Sequence, residues 1–306
     1  MKKRMLLIIS IIIICFFSIS CVNAESNLTN DILGDDLSYK SFTDLQSLIQ
    51  DSSGVVELTD NYKYNSTIDT SDFSNGIFIP NPVIINGNGH SIDALNKAKI
   101  FTITGSNVLL NNITFKNAYG DLFGGAISWS GTGGSLLNCQ FDSCKAKIDG
   151  GAIYWSGTYA KIDNSKFTSC SAFEAGGSSG GAVMIAGKFS NIQNSIFDSN
   201  IGQNGGGLAI SGDMPYLDNL TFVNNYATSR GGGLYVTGGS CEISNCKFIN
   251  NSAQGQGGGA YFDAWAQELT SLTFVKNSAA LGGGLVFKSW SNGFLVNSEF
   301  YNNHAA

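Results

Sequence analysis

Cysteines and carboxylates are the side chains of this sequence best able to do chemistry, and their spacing points away from a reaction centre. Cys15 and Cys21 fall in an apolar N-terminal segment, which leaves Cys139, Cys144, Cys170, Cys241 and Cys246. No two of them form a CxxC pair, and a zinc site would also want histidine. Only His90 and His304 occur, far apart in sequence. Five thiols at mixed spacings do not read as a disulfide framework, so they are expected to be small apolar core residues. Hydrolysis of a glycan needs two carboxylates set as acid and base. Elimination needs Arg or Lys beside a calcium site built from several carboxylates. Asp142, Asp149, Asp163, Asp198, Asp218 and Glu242 are scattered, and the adjacent pair Asp35-Asp36 lies in a polar stretch near the N-terminus. His90 follows Gly89 at a turn, and Arg230 sits beside a glycine cluster. No catalytic, cofactor-binding or metal-binding set is therefore assigned, and no enzymatic activity is expected.

The elements that carry these residues announce themselves by repetition. A Phe preceded at three residues by Asn recurs at Asn112-Phe115, Asn138-Phe141, Asn164-Phe167, Asn194-Phe197, Asn219-Phe222, Asn245-Phe248 and Asn297-Phe300, with Ser271 before Phe274. The phenylalanines are 26, 26, 30, 25, 26, 26 and 26 residues apart. A glycine cluster followed by Ala or Leu keeps nearly the same period, at Gly125, Gly151, Gly181, Gly207, Gly233, Gly259 and Gly284. The long interval contains FEAGGSSGG (173–181), read as an enlarged loop. Two and five residues before each Phe stand small or apolar side chains such as Cys139 and Leu136, or Leu220 and Leu217. Three steps between two inward positions do not fit a flat strand of period two, so a bend at the intervening Asn is required. Asparagine suits it, since it tolerates the left-handed region. No helix-length amphipathic run occurs within the repeat.

Short strands, an Asn bend and a glycine turn every 26 residues or so describe one coil of a right-handed, single-stranded parallel β-helix, an all-β fold in which equivalent residues stack at about 4.8 Å. The Phe column then fills the core, and the Asn column can form an amide ladder. Cys144 and Cys170 share a column with Asn200, Asn225, Asn251, Asn277 and Asn303; two stacked thiols are expected there, although export would permit a disulfide. Counting from the glycines named above, positions one and three later are expected to face inward. The alternate column is then outward yet apolar: Ile127, Ile153, Val183, Tyr235, Tyr261 and Val286, with Trp129, Trp155 and Ile185 beside it. Such a stripe is larger than a soluble monomer normally exposes. It is the candidate binding face for sugar rings or a partner protein, with flat aromatic anchors. The alternatives are a covering loop, lateral self-association along the β-helix, or a reversed in/out assignment. If the stripe binds, replacing Trp129 and Trp155 by Ala abolishes adhesion and spares the fold.

Outside the array, Lys2, Lys3 and Arg4, an apolar run from Leu6 to Phe17 and Val22-Asn23-Ala24 read as a cleaved secretory signal peptide over residues 1–24. Its removal leaves 14 basic against 23 acidic side chains, a balance of −9, with Arg230 the last arginine. That balance speaks against nucleic-acid binding. Residues 25–40 read as a flexible leader, 41–100 as an N-terminal cap with irregular first coils, and 101–306 as the array. Within the cap, Ser41 with Asp44 forms a capping-box variant for a helix over 41–50, its apolar face made of Phe42, Leu45, Leu48 and Ile49. Sequons stand at Asn27, Asn65, Asn112 and Asn219. Asn27 and Asn65 are the credible glycan acceptors, because the other two belong to the ladder.

Gly-Gly-Ala-Ile at 124–127 and 150–153, with Phe-x-x-Asn in FDSN, FVNN, FINN, FVKN and FYNN, resembles the repeat of the chlamydial polymorphic outer-membrane proteins. The order of cap helix, PVIINGNGHSIDA and array is similar to adhesin-like surface proteins of methanogenic archaea. The repeat resemblance covers residues 100–306, and the second extends it to about 41. It implies a secreted or surface-displayed β-helix that binds a cell-surface glycan or protein and needs no cofactor. The chain departs from those families by stopping at Ala306, without a barrel, wall anchor or further domain, which leaves its anchoring open. The runner-up readings are a pectate-lyase-like carbohydrate-active enzyme and a purely structural surface spacer.

Overall fold

The structure, a computed structural model, describes residues 39–306 apart from 70–71, 173–178, 264, 266 and 289–292. The expected signal peptide, Asn27 and most of the 173–181 loop lie outside the described residues. So does most of the polar leader, but its last two residues are not loose: Tyr39 and Lys40 form a strand paired with Asn61 and Tyr62.

Each coil passes through up to four short strands, and every strand pairs in parallel with its equivalent in the next coil. Among the described residues four parallel sheets result, with 9, 10, 11 and 8 strands. Sheet I follows the glycine cluster and runs from Ile77–Ile79 to Leu285–Phe287. Sheet II runs from Val55–Glu57 to Gly293–Val296, and sheet III, which carries the phenylalanines, from Tyr39–Lys40 to Glu299–Tyr301. Sheet IV, from Tyr119–Gly120 to His304–Ala305, completes the circuit. The chain is thus an all-β parallel solenoid of about 26 residues per coil. The register shows it directly: Phe141 pairs with Phe115 and Phe167.

Inward side chains hold the stack together. From Phe115 to Phe300 the rings stack with centroids 4.6–5.0 Å apart and planes within 11°. A buried Phe contributes roughly 1.5–3 kcal/mol from its area, and an aromatic pair about 0.5–1.5 kcal/mol more. Every residue three before a Phe has positive φ, between 48° at Asn164 and 57° at Ser271, so the bend predicted from the sequence is a left-handed one. The Asn amides there form a broken outer ladder: Asn164 Nδ2 donates to Asn138 Oδ1 at 2.7 Å, whereas Asn194 turns to Asp163 at 2.8 Å. A second ladder, three residues after each Phe from Phe197 to Phe300, is continuous and buried as far as Asn277. Asn225 donates through both its backbone N–H (3.0 Å) and its Nδ2 (2.9 Å) to Asn251 Oδ1, and its Nδ2 also donates to the Phe197 carbonyl at 2.8 Å. The same pattern runs from Asn200 to Asn303. Cys144 and Cys170 continue this column as free, buried thiols, and the Cys170 N–H donates to Asn200 Oδ1 at 2.9 Å.

The helix spans Phe42–Gln50, with Ser41 as N-cap and a reciprocal capping box with Asp44. Phe42, Leu45 and Ile49 are buried, and Phe42 meets Tyr64 and Phe73 edge to face, both at 5.7 Å. Asp69, itself buried, accepts the N–H groups of Phe42 and Thr43 at 3.2 and 2.8 Å, so a carboxylate faces the helix N-terminus, where its charge is favoured.

The in/out assignment of sheet I is where the structure corrects the sequence reading. The glycine that must adopt positive φ is the first of each cluster: Gly124, Gly150, Gly180, Gly205, Gly231, Gly257 and Gly282. Coils of the GGA type place Ala126, Ala152 and Ala182 where GGG coils place a third glycine, as the bond from Ala182 N to the Gly207 carbonyl shows. Aligning Gly125, Gly151 and Gly181 with Gly207 therefore slips the first three coils by one residue. With a side-chain period of two, one slip exchanges the faces. Ile127, Trp129, Ile153, Trp155, Val183 and Ile185 are consequently core residues, Trp129 only 1% exposed. The two indoles stack at 3.9 Å and 6°, facing inward.

Candidate binding surface

The true outward column of sheet I reads Phe78, Thr102, Ser128, Tyr154, Met184, Ala209, Tyr235, Tyr261 and Val286 in register. Three of the expected residues, Tyr235, Tyr261 and Val286, do stand on it. It is nevertheless a partly covered row. Tyr154 lies against Phe123 at 4.8 Å, and Tyr235 stacks on Tyr261 at 5.6 Å. The Arg230 guanidinium sits 5.4 Å from the Tyr261 ring centre, a cation–π geometry, and Tyr261 is buried although it points outward. Burial raises the Tyr261 phenol above the ordinary value, with Arg230 opposing.

One side-chain pair on this face resembles a nucleophile and its base. Lys99 Nζ donates to Ser128 Oγ and to the Phe123 carbonyl, both at 2.8 Å, and Ser128 Oγ donates to the same carbonyl at 2.8 Å. Burial lowers the Lys99 ammonium to about 8, against which Asp121 acts weakly. Both groups converge on one backbone carbonyl, so the arrangement ties the turn at Asp121–Gly124 to the sheet. Asp149 is likewise raised by burial, while its carboxylate accepts the Ser179 N–H at 2.7 Å.

A surface that the sequence reading missed lies on the turn between sheets I and II. One residue of that turn is left-handed in each of six consecutive coils: Asn107 (φ 56°), Gly133 (68°), Tyr159 (58°), Phe189 (58°), Met214 (57°) and Ser240 (52°). Asn and Gly suit this backbone; a bulky residue there costs about 1–2 kcal/mol. Yet Tyr159, Phe189 and Met214 follow one another on successive coils and are 59%, 41% and 53% exposed. Tyr159 and Phe189 stack at 5.0 Å and 11°. The residues just before them form a polar row. Thr132 and Thr158 share a hydroxyl–hydroxyl bond of 2.7 Å, and Lys188 pairs with Asp213 at 2.7 Å. Exposed Trp265 ends the row, its carbonyl accepting the Ser240 N–H at 2.8 Å. Tyr, Phe and Met share no residue type, which hid the column. Its spacing of 26, 30 and 25 residues from Gly133 onward was the available signal.

Of the sequon asparagines, Asn65 uses its Oδ1 to accept the Thr67 N–H (3.0 Å) and hydroxyl (2.7 Å), within its own sequon. Asn219 donates to Asn194 Oδ1 at 2.9 Å in the outer ladder.

Comparison with known proteins supports the repeat and leaves the ligand open. Residues 219–237 match the family described as Chlamydia polymorphic membrane protein (Chlamydia_PMP) repeat. No curated protein matches the sequence. Among solved structures, PfbA, a surface adhesin of Streptococcus pneumoniae, is similar over 87% of this chain and 92% of that one, with 13% sequence identity. Its TM-score of 0.31 makes the likeness too loose to carry a functional argument.

Proposed function

We propose that this chain is a surface-displayed or secreted, adhesin-like β-solenoid that binds glycans or proteins of a partner cell surface and does so without catalysis. The observation that carries this reading is the ridge of Tyr159, Phe189 and Met214. Exposure means that core packing does not require these side chains, and left-handed backbone disfavours them. Strained residues that persist against both pressures are characteristic of ligand-contacting positions. The match to a repeat of a membrane-protein family over residues 219–237 supports an extracellular setting. The outward column with Tyr235 and Val286 extends the accessible surface on the neighbouring sheet, and lateral packing of copies along that face is a subordinate part of the reading.

The test is binding of the purified chain to glycan arrays and to intact cells, run beside turnover of polygalacturonate. Saturable surface binding without turnover is the expected result. Turnover with no surface binding would reverse the assignment in favour of a carbohydrate-active enzyme.

A further inference from the structure

The ridge does not present its two rings alike. Phe189 covers one face of Tyr159, and in the preceding coil the equivalent position is Gly133. Gly133 has no side chain to cover the ring on that side, and Tyr159 is the more exposed of the pair. The Asn107 carboxamide reaches over Gly133 and forms the floor of the notch: a Cβ built on Gly133 would lie 2.5 Å from Asn107 Oδ1. The Thr132 and Thr158 hydroxyls flank the notch along the chain, one beside Gly133 and one beside Tyr159. The notch therefore combines one flat apolar wall, an amide and two hydroxyls across roughly two coil spacings of about 4.8 Å each.

A ligand that fits must be flat and apolar on one face, rich in hydroxyls at its rim, and free of charge. The charged groups beside the ridge are paired, Lys188 with Asp213 at 2.7 Å and Lys161 with Asp163 at 4.0 Å. The chain as a whole is acidic, with a net charge of −6. An acidic sugar would thus meet cations already facing carboxylates, and an unfavourable field. A hexopyranose meets the description, because its axial C–H groups form an apolar face and its hydroxyls project from the edge. We propose that the open face of Tyr159 is a stacking site for one neutral hexopyranose unit of a glycan, with Asn107 and the Thr132–Thr158 pair as its hydrogen-bonding groups. This deepens the adhesin-like reading and rests on it.

The experiment titrates the full chain with cellotetraose and lactose as neutral probes and with trigalacturonate as the acidic one, following ligand saturation-transfer signals and tyrosine fluorescence. Tyr159→Ala removes the wall, and Gly133→Asn fills the notch with the residue that the equivalent position 107 already carries in left-handed backbone. Both variants are expected to weaken binding of a neutral probe at least tenfold. Leu122→Ala, an exposed apolar residue on a different turn, is expected to leave it within twofold. Circular dichroism confirms that the variants fold, and Gly133→Asn keeps the test decisive if Tyr159→Ala does not. Wild-type binding confined to trigalacturonate, no binding of any probe, or neutral binding that survives Gly133→Asn would each overturn the proposal. If cells are bound while these sugars are not, the pyranose site falls and the adhesin reading stands; if neither is bound, both fall.

Discussion

Replacing Asn251 by Ala tests how much the buried amide ladder holds. Its Oδ1 accepts the Asn225 N–H at 3.0 Å and Asn225 Nδ2 at 2.9 Å, and its own Nδ2 donates to the Phe222 carbonyl at 2.9 Å and to Asn277 Oδ1 at 3.0 Å. Removing the carboxamide strands the Asn225 N–H, one amide hydrogen of Asn225 and the Phe222 carbonyl in a site with no solvent exposure. Asn277 Oδ1 still accepts the Asn251 N–H at 2.9 Å and is less affected. At about 1–3 kcal/mol for each buried group left unpaired, with partial relaxation, the loss comes to about 3–6 kcal/mol. Guanidinium unfolding followed by circular dichroism reads the global effect. In a solenoid the damage is also local, so native-state hydrogen exchange at the Asn225 amide should rise first. A loss below about 1 kcal/mol with unchanged exchange at Asn225 would refute the claim that the ladder is a principal fastening between coils.

Three further outcomes follow from the corrected core and its buried titratable groups. Trp129→Ala with Trp155→Ala should lower the guanidinium midpoint sharply, since each buried Trp→Ala change costs about 3–5 kcal/mol and stacked neighbours couple; unchanged stability with lost adhesion would restore the outward reading. For Lys99, whose folded ammonium sits at about 8 against an ordinary 10.5, the unfolded chain holds more protons between those values, so stability rises with pH across that window. Relative to Lys99→Met, the wild type should therefore gain up to about 3 kcal/mol from pH 7.5 to pH 10.5, and a flat difference in urea titrations would contradict the burial argument. Burial pushes the Cys139 and Cys246 thiols up to about 12 and raises Cys170 and Cys241 as well. Peptide mapping after alkylation at pH 8 should find these positions unmodified in the native chain and fully modified in guanidinium; native labelling at any of them would show that its coil opens.

What the sequence disclosed follows from how strictly each column repeats. Phenylalanine recurs at one position in eight consecutive coils, and a residue suited to left-handed backbone stands three places before each, so the core of sheet III and its bend could be read without coordinates. The same strictness linked Cys144 and Cys170 to the asparagines from Asn200 to Asn303. Sheet I was misread because its marker varies in length: GGA and GGG clusters look alike, but only the first glycine is fixed by its backbone conformation. One clue to the true face was local. A Cβ on Gly134 would collide with the Trp129 indole, so this glycine makes room for an inward tryptophan. The ridge escaped notice for the opposite reason, since its backbone conformation repeats while its side chains do not.

On the proposed reading, Tyr159, Phe189 and Met214 are present for contact with a partner and not for the fold. The most direct measurement compares cell-surface and glycan binding of the wild type with the triple variant Tyr159→Asn, Phe189→Asn, Met214→Asn, alongside the melting temperature of each. Asn already occupies this left-handed position at residue 107, so the variant should melt at the wild-type temperature or above it. Binding should be lost. Full binding by a variant of native stability would contradict the claim, and so would a large fall in melting temperature, which would make the ridge a structural element.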